Sequence, residues 1–355
     1  MRRLLIFLSF ALVMPLFGAV RPLAAQPSHL ALSTLGGKVI PTSGSPLAAG
    51  NFVVGLNACL LWQQADTTVY WQRFWCIPYL GIRTGFSHHV AGIAGDCLVF
   101  AGTLQTPVTH HLDWTISTGL SFYTLPYSRT HDPENSYIGS VANSLIDLGF
   151  LYNLPLDGNI TFFLSAKLVH SSNGYMYKPN HGLNSLQAEV GLRLGPRRQT
   201  LRLPLADTTF RPYGCGFVMI APSAVMSRYD PLDQITYYPA YTAQIGYLRH
   251  LHPCFAGGGT LDLSYNFSHT PFAPEGQYPV YPAASLFADS QWGPLVLRLG
   301  VAHYLAYYPL NRTQYYERVA LYCRIGPAQD RYAGVGMKVH GDHIDFIEWT
   351  YAIEF

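Results

Sequence analysis

From Ile347 to Phe355 the chain alternates without a break. Ile347, Trp349, Tyr351, Ile353 and Phe355 are apolar, and Glu348, Thr350, Ala352 and Glu354 lie between them. A period of two over this length describes a strand with one apolar face and one largely polar face. A strand in water seldom leaves a bare aromatic at its end, because that ring has nothing to bury against. A strand that crosses a membrane has a use for it. Lipid solvates the outer face, the interior stays polar, aromatic side chains sit at the interfaces, and ~9–11 residues span the bilayer.

Composition agrees. Of the 355 residues 12% are charged, 49% hydrophobic and 14% aromatic. Soluble domains carry about 25% charged residues. The aromatic and apolar content excludes a disordered chain. The formal net charge of +2 rests on the N-terminus, where Arg2, Arg3 and Arg21 stand with no acid in the first 25 residues. Without them the balance turns slightly acidic, so the electrostatic footprint of a nucleic-acid binder is missing.

Residues 1–25 read as a secretory signal: a basic start at Arg2 and Arg3, the apolar run LLIFLSFALVMPLFGAV, and the small-residue site Leu23-Ala24-Ala25. The expected destination is the outer membrane of a Gram-negative cell. Beyond residue 26 no window approaches the ~18 apolar residues of a membrane-spanning helix. The cysteines at 59, 76, 97, 215, 254 and 323 are widely spaced, without a CxxC or a metal-like cluster, and read as isolated thiols in strands. His88-His89 and His110-His111 invite a metal, but consecutive strand residues face opposite ways. No metal and no cofactor is expected.

Candidate strands lie at 50–63, 75–87, 92–104, 111–124, 138–153, 159–172, 183–195, 211–224, 235–250, 258–270, 281–290, 295–307, 315–326, 330–340 and 344–355. Turn residues separate them, as at Leu156-Asp157-Gly158-Asn159 and Trp292-Gly293-Pro294. The Ser-, Gly- and Pro-rich stretch 26–49 reads as an extended leader. The expectation is an all-β, transmembrane antiparallel β-barrel over 50–355, with about 14 strands and roughly 12 to 16 allowed by boundary uncertainty. With both barrel ends on the periplasmic side, 159–172 runs outward. The connections 125–137, 173–182, 225–234, 271–280 and 308–314 are then outer loops, and 154–158 and 291–294 are short inner turns.

The segment Asn159 to Gly195 breaks the pattern in an informative way. Ile160, Phe162, Leu164, Ala166 and Leu168 form a wholly apolar series, with Lys167 and its polar neighbours opposite. Continued by twos, the apolar series reaches His170 and Ser172. On the returning strand Leu186, Ala188, Val190, Leu192 and Leu194 are the apolar series, and extended backward it begins at Asn184. Three polar side chains thus share the lipid face near one rim, where unsatisfied polar groups are costly. A serine becomes a nucleophile when a histidine takes its proton and a third group orients the histidine. Residues i and i+2 of a strand are same-face neighbours about 6.5 Å apart. The plainer reading is an interfacial belt meeting lipid headgroups.

His170-Ser171-Ser172-Asn173-Gly174 followed by Pro179-Asn180-His181-Gly182-Leu183-Asn184 resembles the H-x-S-N-(x)-P-N-x-G motif of the lipid A 3-O-deacylase family, the PagL-type acyloxyacyl hydrolases. The resemblance implies an outer-membrane serine esterase that removes an ester-linked acyl chain from lipid A, with no cofactor and with lipopolysaccharide of the outer leaflet as its partner. By that resemblance His170 is the general base, Ser172 the nucleophile and Asn184 the third member. Asn173, Asn180 and Gly182 shape the site, with Asn173 or Asn180 a donor to the oxyanion. Lys178 is a candidate for a lipid A phosphate, or simply a solvated loop lysine. The sequence departs from the family in two ways. The best-known members carry a glutamate where Asn184 stands, which would weaken activity, and Glu189 on the interior series is a poor substitute. Familiar members are small eight-stranded barrels, so this chain has room for a wider one with a lumen. The rivals are a pore or structural barrel carrying a relic motif, and an adhesin using the Tyr-rich loop 271–282.

Overall fold

The computed structural model describes residues 28–41, 51–66, 68–90, 92, 94–174, 177, 179–196, 198, 210–226, 237–272, 279–306, 314–341 and 343–355. Residues 1–25, expected to be a signal, Lys178 and most of the expected outer loops 225–234, 271–280 and 308–314 lie outside the described residues.

Sixteen strands appear among the described residues. They are β1 (His29–Ile40), β2 (Phe52–Gln63), β3 (Tyr79–His89), β4 (Asp96–Pro107), β5 (Leu112–Tyr123), β6 (Ala142–Pro155), β7 (Ile160–Ser172), β8 (Leu183–Leu194), β9 (Tyr213–Met226), β10 (Tyr237–His252), β11 (Phe255–Asn266), β12 (Val280–Trp292), β13 (Leu295–Tyr304), β14 (Tyr315–Ile325), β15 (Arg331–His340) and β16 (His343–Glu354). The all-β antiparallel barrel class holds, and the count lies at the upper end of the expected range.

Two features of the expected organisation are corrected. The strands close as two rings, β1 to β8 and β9 to β16, each in sequence order, where one ring over 50–355 was expected. And residues 29–40, expected within an extended leader, are strand β1. This strand is what closes the first ring, since it pairs with β2 on one edge and with β8 on the other, from Leu30↔Leu194 to Ile40↔Asn184. Its Gly36-Gly37 pair and scattered serine and threonine hide the alternation. Edge pairing is a tertiary matter, because the other strands carry much the same local pattern and nothing local says which strand meets which.

In the first ring the polarity of a soluble protein is inverted. Leu56, Phe86, Phe100, Leu148, Phe150, Leu168 and Leu186 are exposed on the outer wall. Arg83, Asp147, Lys167 and Glu189 are buried within it. Lys167 Nζ donates to Glu189 Oε1 at 2.9 Å, Asn57 Nδ2 donates to the same oxygen at 2.8 Å, and Arg83 donates to Asp147. Eight strands leave an interior that side chains can fill, and these pairs fill it where a wider ring would have left a lumen. His88 points out and pairs with Asp96 at 2.8 Å, whereas His89 points in and is buried. A five-residue helix, α1 (Tyr70–Phe74), lies in the turn between β2 and β3.

The second ring is built the same way. Ile220, Ile245, Leu261, Leu286 and Leu299 are exposed outside, and Phe217, Met219, Leu248, Val296 and Tyr322 form an apolar cluster inside. Arg298 makes two bonds of 2.7 Å to the carboxylate of Asp289, and Arg318 bridges Glu348 and Asp262. Of the terminal alternation, Tyr351, Ile353 and Phe355 face outward and Glu348 and Thr350 inward, while Ile347 is buried.

The interior pairs carry a stability prediction. Removing one partner of a buried ion pair costs about 3–5 kcal/mol, because the other charge is left uncompensated. Glu189→Gln strands Lys167 and weakens the hold on Asn57, so the first ring should unfold at markedly lower denaturant. Gel mobility of the folded against the unfolded protein across a urea series measures this.

Candidate active site

Register places the site residues. His170 is the direct cross-strand partner of Asn184, and Ser172 is opposite Ser144 on β6. Along β7 the exposed positions Leu164, Ala166 and Leu168 give way to half-buried His170 and buried Ser172, on the same face by strand alternation. The outer wall therefore turns polar at the rim where β7 and β8 are joined, as the sequence pattern suggests.

Each polar group there has a defined contact. Asn184 Oδ1 lies 2.8 Å from His170 Nδ1. With the amide oxygen facing that nitrogen, Nδ1 is the donor, and the lone pair of the neutral ring is on Nε2. Nε2 is buried and makes no hydrogen bond. Asn180 Nδ2 donates to Ser172 Oγ at 2.8 Å. The amide of Asn180 is oriented by its other end, since its Oδ1 accepts from the backbone N–H of Asn173 at 3.3 Å. His170 and Ser172 are brought to one face and one rim without a direct hydrogen bond from Nε2. Catalytic hydrogen bonds often tighten only when substrate is bound.

The loop between β5 and β6 buttresses this rim, and sequence reading missed it. Asn173 Nδ2 donates to Ser140 Oγ at 3.0 Å and to the carbonyl of Tyr177 at 2.8 Å. Asn135 Oδ1 accepts from the N–H groups of Tyr137 and Ile138 at 3.1 Å each. The carbonyls of Ser136 and Tyr137 then accept from His181 N and Gly182 N, each at 3.1 Å. A Cβ at Gly139 would stand 2.3 Å from the Pro179 carbonyl oxygen, so only glycine lets the two loops approach so closely. Gly182 has a second constraint: its φ is +73°, and a Cβ would lie 2.7 Å from His170 Cε1. The available sequence signal was the polar cluster Asn135-Ser136 and Gly139-Ser140, which carries no periodicity.

Glu189 is excluded as the third member of the site. Its carboxylate is held inside the ring by Lys167, Asn57 and Ser33, on the face opposite His170.

Two family models match the chain. The lipid A 3-O-deacylase (PagL) model covers residues 60–193, and the acyloxyacyl hydrolase C-terminal domain model covers 213–355. This chain belongs to the lipid A 3-O-deacylase family. The two matched regions fall within the two rings, and together they take in most of the sequence. Membership makes the protein an outer-membrane barrel enzyme that deacylates lipid A, an ester hydrolase. No curated protein matches it. Among solved structures, the outer membrane enzyme PagL is 15% identical with a TM-score of 0.32, over 46% of this chain and 98% of its own. A mutant porin of Rhodopseudomonas blastica is 12% identical with a TM-score of 0.19, over 92% of this chain and 99% of its own. The siderophore receptor PirA from Pseudomonas aeruginosa is 11% identical with a TM-score of 0.26, over 92% of this chain and 60% of its own. At these identities and scores the likenesses add nothing to what the strand register already establishes.

Proposed function

We propose that this deacylase works by serine catalysis at the rim of the first ring, with His170 as general base, Ser172 as nucleophile and Asn184 as the group that orients the base. The observation that carries this reading is the 2.8 Å contact between Asn184 Oδ1 and His170 Nδ1, which leaves a buried, unbonded Nε2 on the same strand face as Ser172. The substrate is lipid A of lipopolysaccharide, whose acyl esters lie at headgroup depth beside this outward-facing rim.

In this mechanism Ser172 Oγ attacks the ester carbonyl carbon while its proton passes to His170 Nε2. The carbonyl oxygen becomes an oxyanion. When the intermediate collapses, the bond to the sugar oxygen breaks, and that oxygen takes the proton from Nε2. Water, deprotonated by the same nitrogen, then attacks the acyl-enzyme and releases the fatty acid with Ser172 restored. No metal or cofactor enters the scheme.

The geometry favours Asn180 over Asn173 as the oxyanion donor. Asn180 Nδ2 stands 2.8 Å from Ser172 Oγ, next to where the oxyanion forms. Asn173 Nδ2 is already committed to Ser140 and Tyr177. The role of Asn173 is to hold the loop and, through its backbone N–H, to aim Asn180. Gly182 makes room for the imidazole.

The test is the mass of lipid A from a Gram-negative host expressing wild type or Ser172→Ala. Identical masses with both proteins folded in the outer membrane would overturn the proposal. A second expectation concerns the third position. An amide orients the ring but leaves the imidazolium charge unmatched, whereas a hydrogen bond to an ionised group is worth about 1.5–3 kcal/mol against about 0.5–1.5 for a neutral one. Asn184→Glu should therefore keep activity or raise it, by about tenfold if the difference is near 1.4 kcal/mol. Asn184→Leu should lower it. Initial rates of fatty acid release in detergent–lipid A micelles separate the two, and total loss in Asn184→Glu would mean that position 184 does not orient the base.

A further inference from the structure

We infer that the second ring carries a divalent metal site of the zinc class, formed by Cys215, His250 and Glu354. One donor atom from each of the three lies within 4.8 Å of the others. They come from three strands: Cys215 near the start of β9, His250 near the end of β10 and Glu354 at the end of β16. No sequence spacing announces such a set, because its members are brought together only by closing the ring.

The side chains around this cluster point to a ligand. His250 is 3% exposed, and its Nε2 makes no hydrogen bond. That nitrogen stands 3.8 Å from Glu354 Oε1, beyond hydrogen-bond distance. A buried ring nitrogen without a hydrogen bond is costly unless something binds it. A bound ion would supply the partner. Thiolate, imidazole and carboxylate are each donors that zinc takes in tetrahedral sites, with bonds of about 2.0–2.3 Å and donors therefore about 3.5 Å apart. Small side-chain rotations bring the present spread to that value, and a water completes the fourth position.

The surroundings hold the ligands in place. The ring of Tyr213 stacks on His250 with centroids 4.4 Å apart. Arg324 Nη2 donates to Glu354 Oε1 at 3.2 Å, and the Tyr332 hydroxyl donates to the same oxygen. Outer partners of this kind fix a ligating carboxylate. In charge, the thiolate and the carboxylate bring two negatives and Arg324 one positive, so a doubly charged cation is compensated to a net single charge.

The position suggests a structural role. β16 meets β9 through only four registered pairs, Tyr351↔Ile220 to Glu354↔Phe217. β9 and β10 share fourteen, from Tyr237↔Met226 to His250↔Tyr213. The seam that closes the second ring is therefore its shortest interface, and an ion held by Cys215, His250 and Glu354 would clasp that seam. This inference does not depend on the catalytic reading, since the ligands belong to the other ring.

The experiment loads full-length protein, folded in detergent, with Co2+. Wild type should retain about one equivalent per chain, with the near-ultraviolet absorption of a cobalt–thiolate bond, and Zn2+ should displace it. Cys215→Ser should lose the absorption. His250→Gln should bind at least about tenfold more weakly and lose the rise in melting temperature that Zn2+ gives wild type over chelator-treated protein. Wild type alone tests the proposal if a variant fails to fold. No retained metal in a wild-type protein shown to be folded by gel mobility would overturn it. So would binding without thiolate absorption, or binding unchanged in both variants.

Discussion

Lipid A recovered from cells expressing Ser172→Ala should keep its full complement of acyl chains, while wild type shortens it by one. The expected loss is large because the nucleophile, its base and the orienting group act as a unit. In a serine hydrolase, removing the nucleophile alone costs about 10⁶ in kcat. The residual rate, from binding and the oxyanion site, is below what a cell culture reveals. The substitution should not disturb folding. Ser172 is on the last residue of β7, its backbone pairing is unaffected, and Asn180 loses one acceptor. Mass spectrometry of extracted lipid A reads the activity, and heat-modifiable gel mobility reads the fold. A shortened lipid A in the alanine variant would remove Ser172 from the chemistry, whatever became of the rest of the site.

Asn180→Ala should lower kcat by about 10²–10³, the usual loss when one oxyanion donor is removed. KM should change little, since the interaction matters most once charge has developed on the oxygen. Asn173→Ala is the informative contrast. It frees Ser140 and the Tyr177 carbonyl, loosening the loop, but leaves the backbone N–H that holds Asn180 Oδ1. Its effect should appear as reduced thermal stability of the rim with a smaller fall in kcat. Steady-state rates on lipid A micelles, together with melting of each variant, distinguish the roles. If Asn173→Ala proved the more damaging to kcat at unchanged stability, the assignment of the oxyanion donor would reverse.

The placement of the proposed site residues was legible because strand alternation is a local rule, while their proposed roles came from the family resemblance. Leu164, Ala166 and Leu168 fix which face of β7 meets lipid, and counting by twos puts His170 and Ser172 on that face before any fold is known. The same counting on β8 puts Asn184 there. The supports of the site were not legible. Asn135, Gly139 and Ser140 act from a loop without periodicity, and their contacts with Asn173, Pro179 and Tyr177 depend on how two loops fold against each other. The second family match, over 213–355, likewise lies in a ring whose own cluster of Cys215, His250 and Glu354 is spread over more than a hundred positions.

By itself the sequence determined the solvent of each face. Alternation of apolar and polar residues, with little charge and many aromatics, requires an antiparallel wall between lipid and a polar interior, and it marks a rim between β7 and β8 where polar residues interrupt the lipid face. Tertiary structure alone decided how the wall closes. Apart from β1, the described strands share much the same local pattern, and ring closure depends on backbone hydrogen bonds between strands far apart in sequence. Pairing β1 with β8 satisfies the edges of the first ring, and pairing β16 with β9 satisfies those of the second. Eight strands in each ring, rather than sixteen in one, leave interiors filled by ion pairs and rings instead of a channel.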